Sequence, residues 1–369
     1  MLKVLIIAGA RPNFIKIAPL IEGFKKYQEI KPILVHTGQH YDYEMSKVFF
    51  QELKIPKPNY NLGIGPGTHA YQIGEAMIRL EKVFLKEKPN LVVVVGDVNS
   101  TLAGALTAAK LNIFVAHVEA GLRSFDRRMP EEINRLLTDH ISDFLFTTEP
   151  SGIKNLLNEG IAKEKIFYVG NVMIDTLLKL KVKSKKLKVY EKFGVRPKEY
   201  AVLTLHRPEN VDNRNVLKEI LEAIEKIQKK IKIIWPIHLR TKKQLKKFSL
   251  SDKTKEMENL VLIKPLGYLE MLSLNSQAKF VLTDSGGIQE ETTVLGIPCF
   301  TLRENTERPV TVTEGTNLIV RTKKRRIILE TYKILRGDSK KGRIPRYWDG
   351  KASQRILKIL NRTIKYGRF

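Results

Sequence analysis

The sequence predicts an α/β protein built from two doubly wound domains, each a parallel sheet covered by helices on both faces. Three observations predict it. Short apolar runs recur along the whole chain, and most are continuous rather than alternating, as strands buried on both faces require. Segments of helical periodicity separate those runs, so β and α units alternate. The 369 residues are enough for two ordinary domains, and the pattern falls into two similar halves.

In the first half the strand-like runs are 4–8, 33–37, 91–96, 113–118, 144–148 and 167–170. In the second they are 201–205, 231–236, 261–264, 280–283, 298–302 and 318–320. The lysine-rich stretch 178–195 reads as a helix and connector between the domains. The last segment, 352–365, carries Ile356, Leu357, Ile359, Leu360 and Ile364 at helical spacing and is expected to cross back to the first domain. The expected boundaries are therefore 1–172 with 352–369, and 173–351. Two such Rossmann-like domains facing each other would leave a cleft at the carboxyl ends of both sheets, so functional residues are expected just after the strands.

Composition limits the function classes. A hydrophobic content of 43% supports sizeable cores. The single cysteine, Cys299, excludes a disulfide framework and any cysteine-based metal cluster, and its strand-like surroundings read as core. No apolar run approaches the ~20 residues needed to span a bilayer. The N-terminus reads as a first strand without a signal peptide's layout, so a cytoplasmic protein with no membrane partner is expected. The formal charge of +26 raises the question of nucleic acid. Against it, the lysines are spread over nearly every helix, often beside glutamates, and the denser runs at 179–192 and 321–326 lack interleaved aromatics. A solvated basic surface is expected, one that also suits a phosphate-rich small substrate.

The strand ends carry the chemistry. The segment 280–291 reads as a buried strand, then Asp284-Ser285-Gly286-Gly287, then a helix start. Backbone N–H groups and the helix dipole make such a turn a phosphate site, and the glycines let an anion approach. Glu291, one turn into the helix, could receive ribose hydroxyls. An ordinary strand-to-helix turn would explain the pattern equally. After the first strand, Gly9-Ala10-Arg11-Pro12 is not a dinucleotide fingerprint, and Arg11 and Lys16 suit phosphate binding. Asp97 follows the third strand and reads either as a helix N-cap or as a catalytic carboxylate. Glu119 emerges between apolar neighbours and a glycine, which is harder to explain structurally. Glu131, after Pro130, fits both a favourable first-turn charge and a partner for Glu119. His206 and His238 follow strands of the second half, and Arg308 follows the strand after Gly296. No Gly-x-Ser-x-Gly elbow, His-Glu-x-x-His helix or Walker loop is present. What remains suits a nucleotide-sugar enzyme using acid–base chemistry, without metal or redox cofactor.

These residues resemble a known family. Gly-Ala-Arg-Pro-x-x-Ile-Lys-x-Ala-Pro-Leu at 9–20, Gly-Asp-x-x-Ser-Thr at 96–101 and His-Val-Glu-Ala-Gly-Leu-Arg at 117–123 match the non-hydrolysing UDP-N-acetylglucosamine 2-epimerases. So do Pro-Glu-Glu-x-Asn-Arg at 130–135, Asp-Ser-Gly-Gly-Ile-Gln-Glu-Glu at 284–291 and Thr-Glu-Arg-Pro at 306–309. The resemblance implies the GT-B fold, a homodimer, and interconversion of UDP-N-acetylglucosamine and UDP-N-acetylmannosamine. It implies Asp97, Glu119 and Glu131 as acid–base groups with His206 as a catalytic partner. It implies Arg11, Arg308, Ser285, Gly286 and Gly287 on the UDP phosphates, Glu291 on the ribose, and Lys16 and His238 as further substrate contacts. The chain departs from bacterial members around the uracil, with Leu266 where a glutamine is usual and Met271 where an aromatic is usual. At the activator site of some bacterial members Gln39 matches and Asp42 replaces a glutamine. A glycosyltransferase using a UDP-sugar donor and a hydrolysing epimerase are the competing readings.

Overall fold

The computed structural model describes residues 1–38 and 49–365, the side chains of Arg11 and of residues 364–365 excepted. The chain divides into two units, Met1–Lys179 with Arg346–Phe369, and Leu180–Pro345.

The first unit is built on one parallel sheet of β1 (Leu2–Ala8), β2 (Ile30–His36), β3 (Tyr60–Asn61), β4 (Leu91–Val95), β5 (Phe114–Ala120), β6 (Phe144–Thr147) and β7 (Ile166–Tyr168). Its spatial order is β3-β2-β1-β4-β5-β6-β7. Strand β4, Leu-Val-Val-Val-Val, is buried throughout, which is why no polar residue interrupts it. Helices α1 (Arg11–Phe24), α2 (His69–Glu87), α3 (Asn99–Lys110), α4 (Pro130–His140), α5 (Pro150–Asn158) and α6 (Val172–Lys186) follow in chain order. The strand Tyr60–Asn61 escapes a search for apolar runs because it is two residues long and half exposed. Elsewhere the expected strands occur with ends shifted by up to three residues.

The second unit repeats the plan with β8 (Tyr200–Thr204), β9 (Lys232–Pro236), β10 (Leu260–Ile263), β11 (Phe280–Thr283), β12 (Cys299–Thr301) and β13 (Asn317–Ile319). The parallel order is β10-β9-β8-β11-β12-β13. Its helices are α7 (Pro208–Val211), α8 (Arg214–Ile227), α9 (Leu239–Lys247), α10 (Ser251–Lys255), α11 (Tyr268–Gln277), α12 (Gly286–Leu295), α13 (Pro309–Thr313) and α14 (Lys324–Leu335). Cys299 is buried in β12. Strand order reverses between β1 and β4 in the first sheet and between β8 and β11 in the second, the points where doubly wound sheets hold ligands.

The last helix, α15 (Ala352–Lys365), belongs to the first unit. The Asp175 carboxylate accepts from the backbone N–H groups of Ala352 and Ser353 at 3.0 and 2.7 Å and so caps it. Gly23 lets α15 come close, since a Cβ there would lie 2.1 Å from Leu357 Cδ1. Among the described residues no helix is long and apolar enough to cross a membrane, and no group of three or more His, Cys, Asp or Glu could hold a metal ion.

Helix α4 is packed unusually. It buries Glu132, Asn134, Arg135, Thr138 and Asp139, and leaves Ile133 and Leu137 exposed at 40% and 49%. Its inward face is therefore polar, and it lies against the strand ends that carry the expected carboxylates.

Candidate active site

Three backbone kinks end the central strands of the first unit. Gly96 after β4 has φ +70°, Glu119 near the end of β5 has φ +77°, and Gly121 has φ +80°. Glycine takes such angles freely; a glutamate does so at a cost on the order of 1–3 kcal/mol. The β5–β6 register shifts between Val118 and Ala120, so Glu119 sits on a bulge that redirects its side chain. That side chain is buried and both its oxygens lie 2.7 Å from Lys16 Nζ, itself 5% exposed. A Cβ on Gly96 would approach Lys16 Nζ to 3.1 Å, so glycine is what lets the ammonium pass beneath the β4 turn.

Asp97 does not occupy the N-cap position of its helix. Val98 is the N-cap of α3, with no side-chain cap, and the Asp97 carboxylate accepts from Arg135 Nη1 at 2.6 Å. Asn134 Nδ2 donates to the Asp97 carbonyl at 2.9 Å. Arg135 is held in turn by Glu132, whose Oε2 accepts from Nε at 3.1 Å and Nη2 at 2.7 Å. Glu132 also accepts from the N–H groups of Ser124 and Phe125. Burial works to raise the Glu132 carboxyl, but the Ser124 N–H and the Arg135 guanidinium outweigh it and hold the group below its ordinary range. Glu131, beside it in the first turn of α4, is half-buried, and no described residue forms a hydrogen bond or ion pair with it.

His117 ties the two strand ends together. Its Nε2 lies 2.8 Å from the Gly96 carbonyl oxygen and its Nδ1 2.6 Å from Asp139 Oδ1. Asp139 Oδ2 accepts from the Gly121 N–H at 3.0 Å and pairs with Arg123 at 2.7 Å. Burial works to raise Asp139; His117 and Arg123 overcome it and lower the group. Lys16, Asp97, Glu119 and helix α4 are thus gathered at the carboxyl ends of the central strands β4 and β5.

The second unit builds a different site. The α12 N-terminus begins at Gly286, and Ser285 provides no side-chain cap. A Cβ on Gly286 would lie 2.6 Å from Arg308 Nη1, so the guanidinium rests directly on this turn. Arg308 Nε is held 2.8 Å from Glu290 Oε1. Asp284 is buried and accepts from the backbone N–H groups of His206 and Arg207, each at 2.9 Å, while its Oδ1 lies 2.8 Å from His206 Nδ1. Burial works to raise Asp284, but His206 and the two N–H groups pull it to about 2. With Nδ1 against Asp284, Nε2 of a 40%-exposed ring is left for other work. His238 lies 5.8 Å from His206 between ring centroids, and its Nδ1 accepts from the Arg240 N–H, so it caps α9. Both histidines line a pocket of about 150 Å³ with Thr204, Pro236, Pro265, Leu266 and Met271. Glu291 is buried in α12, and burial, helped by Glu290, raises it to about 7 against a donated hydrogen bond from Tyr268.

The anticipated residues thus fall into two groups. Lys16, Asp97, Glu119 and Glu131 belong to the first unit, and His206, His238, Ser285, Gly286, Gly287, Glu291 and Arg308 to the second. The Arg11 side chain, Gln39 and Asp42 lie outside the described residues. Sequence reading missed Glu132, Arg135, His117, Asp139 and Asp284, whose weight comes from partners distant in sequence. The one signal available was that the segment 130–140 places its charges where an ordinary amphipathic helix buries apolar residues.

The sequence profile of the UDP-N-acetylglucosamine 2-epimerase family matches residues 22–361. A UDP-N-acetylglucosamine 2-epimerase of Methanocaldococcus jannaschii is 50% identical over 373 residues, covering 100% of both chains. A crystal structure of the Methanocaldococcus jannaschii UDP-GlcNAc 2-epimerase in complex with UDP-GlcNAc and UDP superposes with a TM-score of 0.91 at 50% identity, covering 98% of this chain and 99% of that one. A UDP-2,3-diacetamido-2,3-dideoxy-D-glucuronate 2-epimerase of Pseudomonas aeruginosa is 43% identical over 363 residues, covering 97% of this chain and 99% of the relative. The two doubly wound sheets are those of the GT-B fold. With a profile match over nearly its whole length and half its residues shared with a full-length relative, the chain belongs to the UDP-N-acetylglucosamine 2-epimerase family.

Proposed function

We propose that the protein interconverts UDP-N-acetylglucosamine and UDP-N-acetylmannosamine by inverting sugar C2. The observation that carries this reading is the set of three carboxylates of the first unit, Asp97 and Glu119 at strand ends and gripped by buried cations, and Glu131 in the first turn of α4, its side chain unpaired among described residues. Inversion at C2 is common to the relatives named above, while the sugar differs in one of them, so the choice of N-acetylglucosamine follows the more similar relative.

The chemistry asks for these groups. The C2–H is not acidic, because no carbonyl adjoins C2 within the ring. As the C1–O bond breaks, its electron pair leaves with UDP and oxocarbenium character builds at C1. The C2 proton then passes to a carboxylate, and a C1=C2 double bond forms, giving 2-acetamidoglucal and UDP. In the return step a proton reaches the opposite face of C2 and a UDP phosphate oxygen rejoins C1. Acid–base groups are needed on both faces, which Asp97, Glu119 and Glu131 supply in this reading. UDP gathers negative charge as it departs, and Arg308 with the Ser285-Gly286-Gly287 turn answers it; the Ser285 N–H donates to Thr283 Oγ1, so the amides come from Gly286 and Gly287. His206, aimed by Asp284, donates from Nε2 to the leaving phosphate. Glu291 takes the ribose, and the pocket of His238, Leu266 and Met271 takes the uracil mainly through apolar contact. Arg11 is assigned to the phosphates, and Lys16 serves the sugar site by holding Glu119. No step calls on a metal or redox cofactor.

Proton NMR of the protein with UDP-N-acetylglucosamine in D₂O, with EDTA present, tests the reading. Deuterium at C2 of intact UDP-N-acetylmannosamine is the expected result. Free N-acetylmannosamine with UDP would replace it by a hydrolysing reaction, and no exchange without an acceptor by a glycosyltransferase.

Self-association follows from the same reading. Ile133 and Leu137 on α4, and Tyr71, Ile78 and Leu85 at seven-residue spacing on α2, are exposed apolar side chains of the first unit. They suit contact with a second copy of the chain. Sedimentation velocity should show a dimer that Leu137→Asp weakens; a wild-type monomer at micromolar concentration would end this part of the proposal.

A further inference from the structure

The Asp97–Arg135–Glu132 chain carries one step more, resting on the reading of Asp97 as an acid–base group. Arg135 is 1% exposed, and its planar guanidinium offers N–H groups in fixed directions. Nε and Nη2 are both spent on Glu132 Oε2, at 3.1 and 2.7 Å. That two-point grip fixes the plane of the fork, and Nη1 is then aimed at Asp97 Oδ2, 2.6 Å away. Glu132 is itself anchored at both oxygens: Oε2 accepts from the Ser124 N–H and hydroxyl, both at 2.9 Å, and Oε1 from the Phe125 N–H at 2.8 Å. The orientation of Asp97, whose side chain is 23% exposed, is therefore referred to the 124–125 backbone through a buried ionic relay. Packing alone asks for none of this. An isolated buried carboxylate and guanidinium gain no more than well-packed apolar residues would give.

We propose that Glu132 is a positioning residue for the reaction: by clamping Arg135 it fixes the direction and charge environment of Asp97. Glu132 touches no reacting atom in this assignment. Glu131, the neighbouring residue, is left clear of the clamp.

The test is a double-mutant cycle in the full-length protein, read by turnover and by C2 deuterium incorporation. Glu132→Gln keeps one oxygen, for either the Ser124 or the Phe125 N–H, and removes the charge that orients Arg135. It should lower kcat roughly a hundredfold with the KM for UDP-N-acetylglucosamine little changed. In an Asp97→Asn background, where there is no carboxylate to aim, the same change should cost no more than about threefold. Arg135→Lys, which keeps the charge and loses the fork, should behave like Glu132→Gln. A further hundredfold loss in the Asp97→Asn background, or a KM rising as kcat falls, would make Glu132 a structural residue and overturn the proposal. Should Glu132→Gln fail to fold, the Arg135→Lys cycle decides by the same criterion. Full turnover by Asp97→Asn alone would instead remove the catalytic reading beneath the proposal, an outcome distinct from failure of the relay.

Discussion

Replacing Asp97 by Asn should lower epimerisation on the order of 10²-fold or more while UDP binding persists. The substitution is nearly isosteric. Its amide oxygen can still accept from Arg135 Nη1, now 2.6 Å from the carboxylate, so the fold around α4 has little reason to change. What it loses is the capacity to take or give a proton. UDP is assigned to Arg308, Ser285, Gly286 and Gly287, all in the second unit, so calorimetric titration with UDP should return a dissociation constant close to that of the unaltered protein. Deuterium exchange into C2 should fall in step with turnover, because both pass through the same proton transfer. Near-normal turnover would strike Asp97 from the acid–base set. Loss of UDP binding together with activity would mean that the change had damaged the protein rather than its chemistry.

Glu291→Gln should raise stability at alkaline pH. Burial raises the Glu291 carboxyl from 4.5 to about 7 in the ligand-free protein. The folded pKa lies above the unfolded one, so the folded state binds more protons between those values. Stability is then greatest below about pH 4.5, falls as pH rises toward 7, and levels off above it. Two and a half pH units correspond to on the order of 3 kcal/mol at pH 8. A neutral glutamine escapes that loss, so thermal unfolding at pH 8 should shift upward in Glu291→Gln, and the gap should close by pH 5. The same substitution should weaken UDP binding roughly tenfold, because a carboxylate accepts from ribose hydroxyls better than an amide does. A variant with the parent's unfolding curve at every pH would show that the buried carboxyl carries no such cost.

The two-domain plan was legible because parallel strands buried on both faces cannot hide their apolar runs. Leu91–Val95 and Phe280–Thr283 announce themselves without a neighbour. The candidate sites left a mark in the sequence where backbone geometry demands one, as in Ser285-Gly286-Gly287 and in a glutamate set between apolar residues and a glycine. Asp97 stayed ambiguous because an N-cap and a catalytic acid look alike in sequence, and only the fold brings Arg135, 38 positions away, against it. Asp284 stayed silent for a similar reason: it reads as the end of a strand, and only the fold brings His206, 78 positions earlier, against it. Glu132 was hidden by its neighbour. Two acids in a first helical turn satisfy the dipole equally, and nothing local says that one is clamped at both oxygens while the other is not. The two-residue strand Tyr60–Asn61 was invisible because its pairing with β2 comes from position, not from any apolar pattern.

The Lys16–Glu119 pair constrains how this sequence can drift. Glu119 is held at φ +77°, a conformation that glycine would relieve. Yet Glu119→Gly would strand a buried ammonium, at a cost of roughly 3–5 kcal/mol that exceeds the strain it removes. Lys16→Met would strand the carboxylate in the same way. Each single step leads downhill, and only the simultaneous exchange of both could reach a relaxed, uncharged core. Two positions 103 residues apart are therefore bound into one inheritable unit. A lineage that gave up the chemistry would keep the pair long after its use had gone, since the path out of it passes through less stable ancestors.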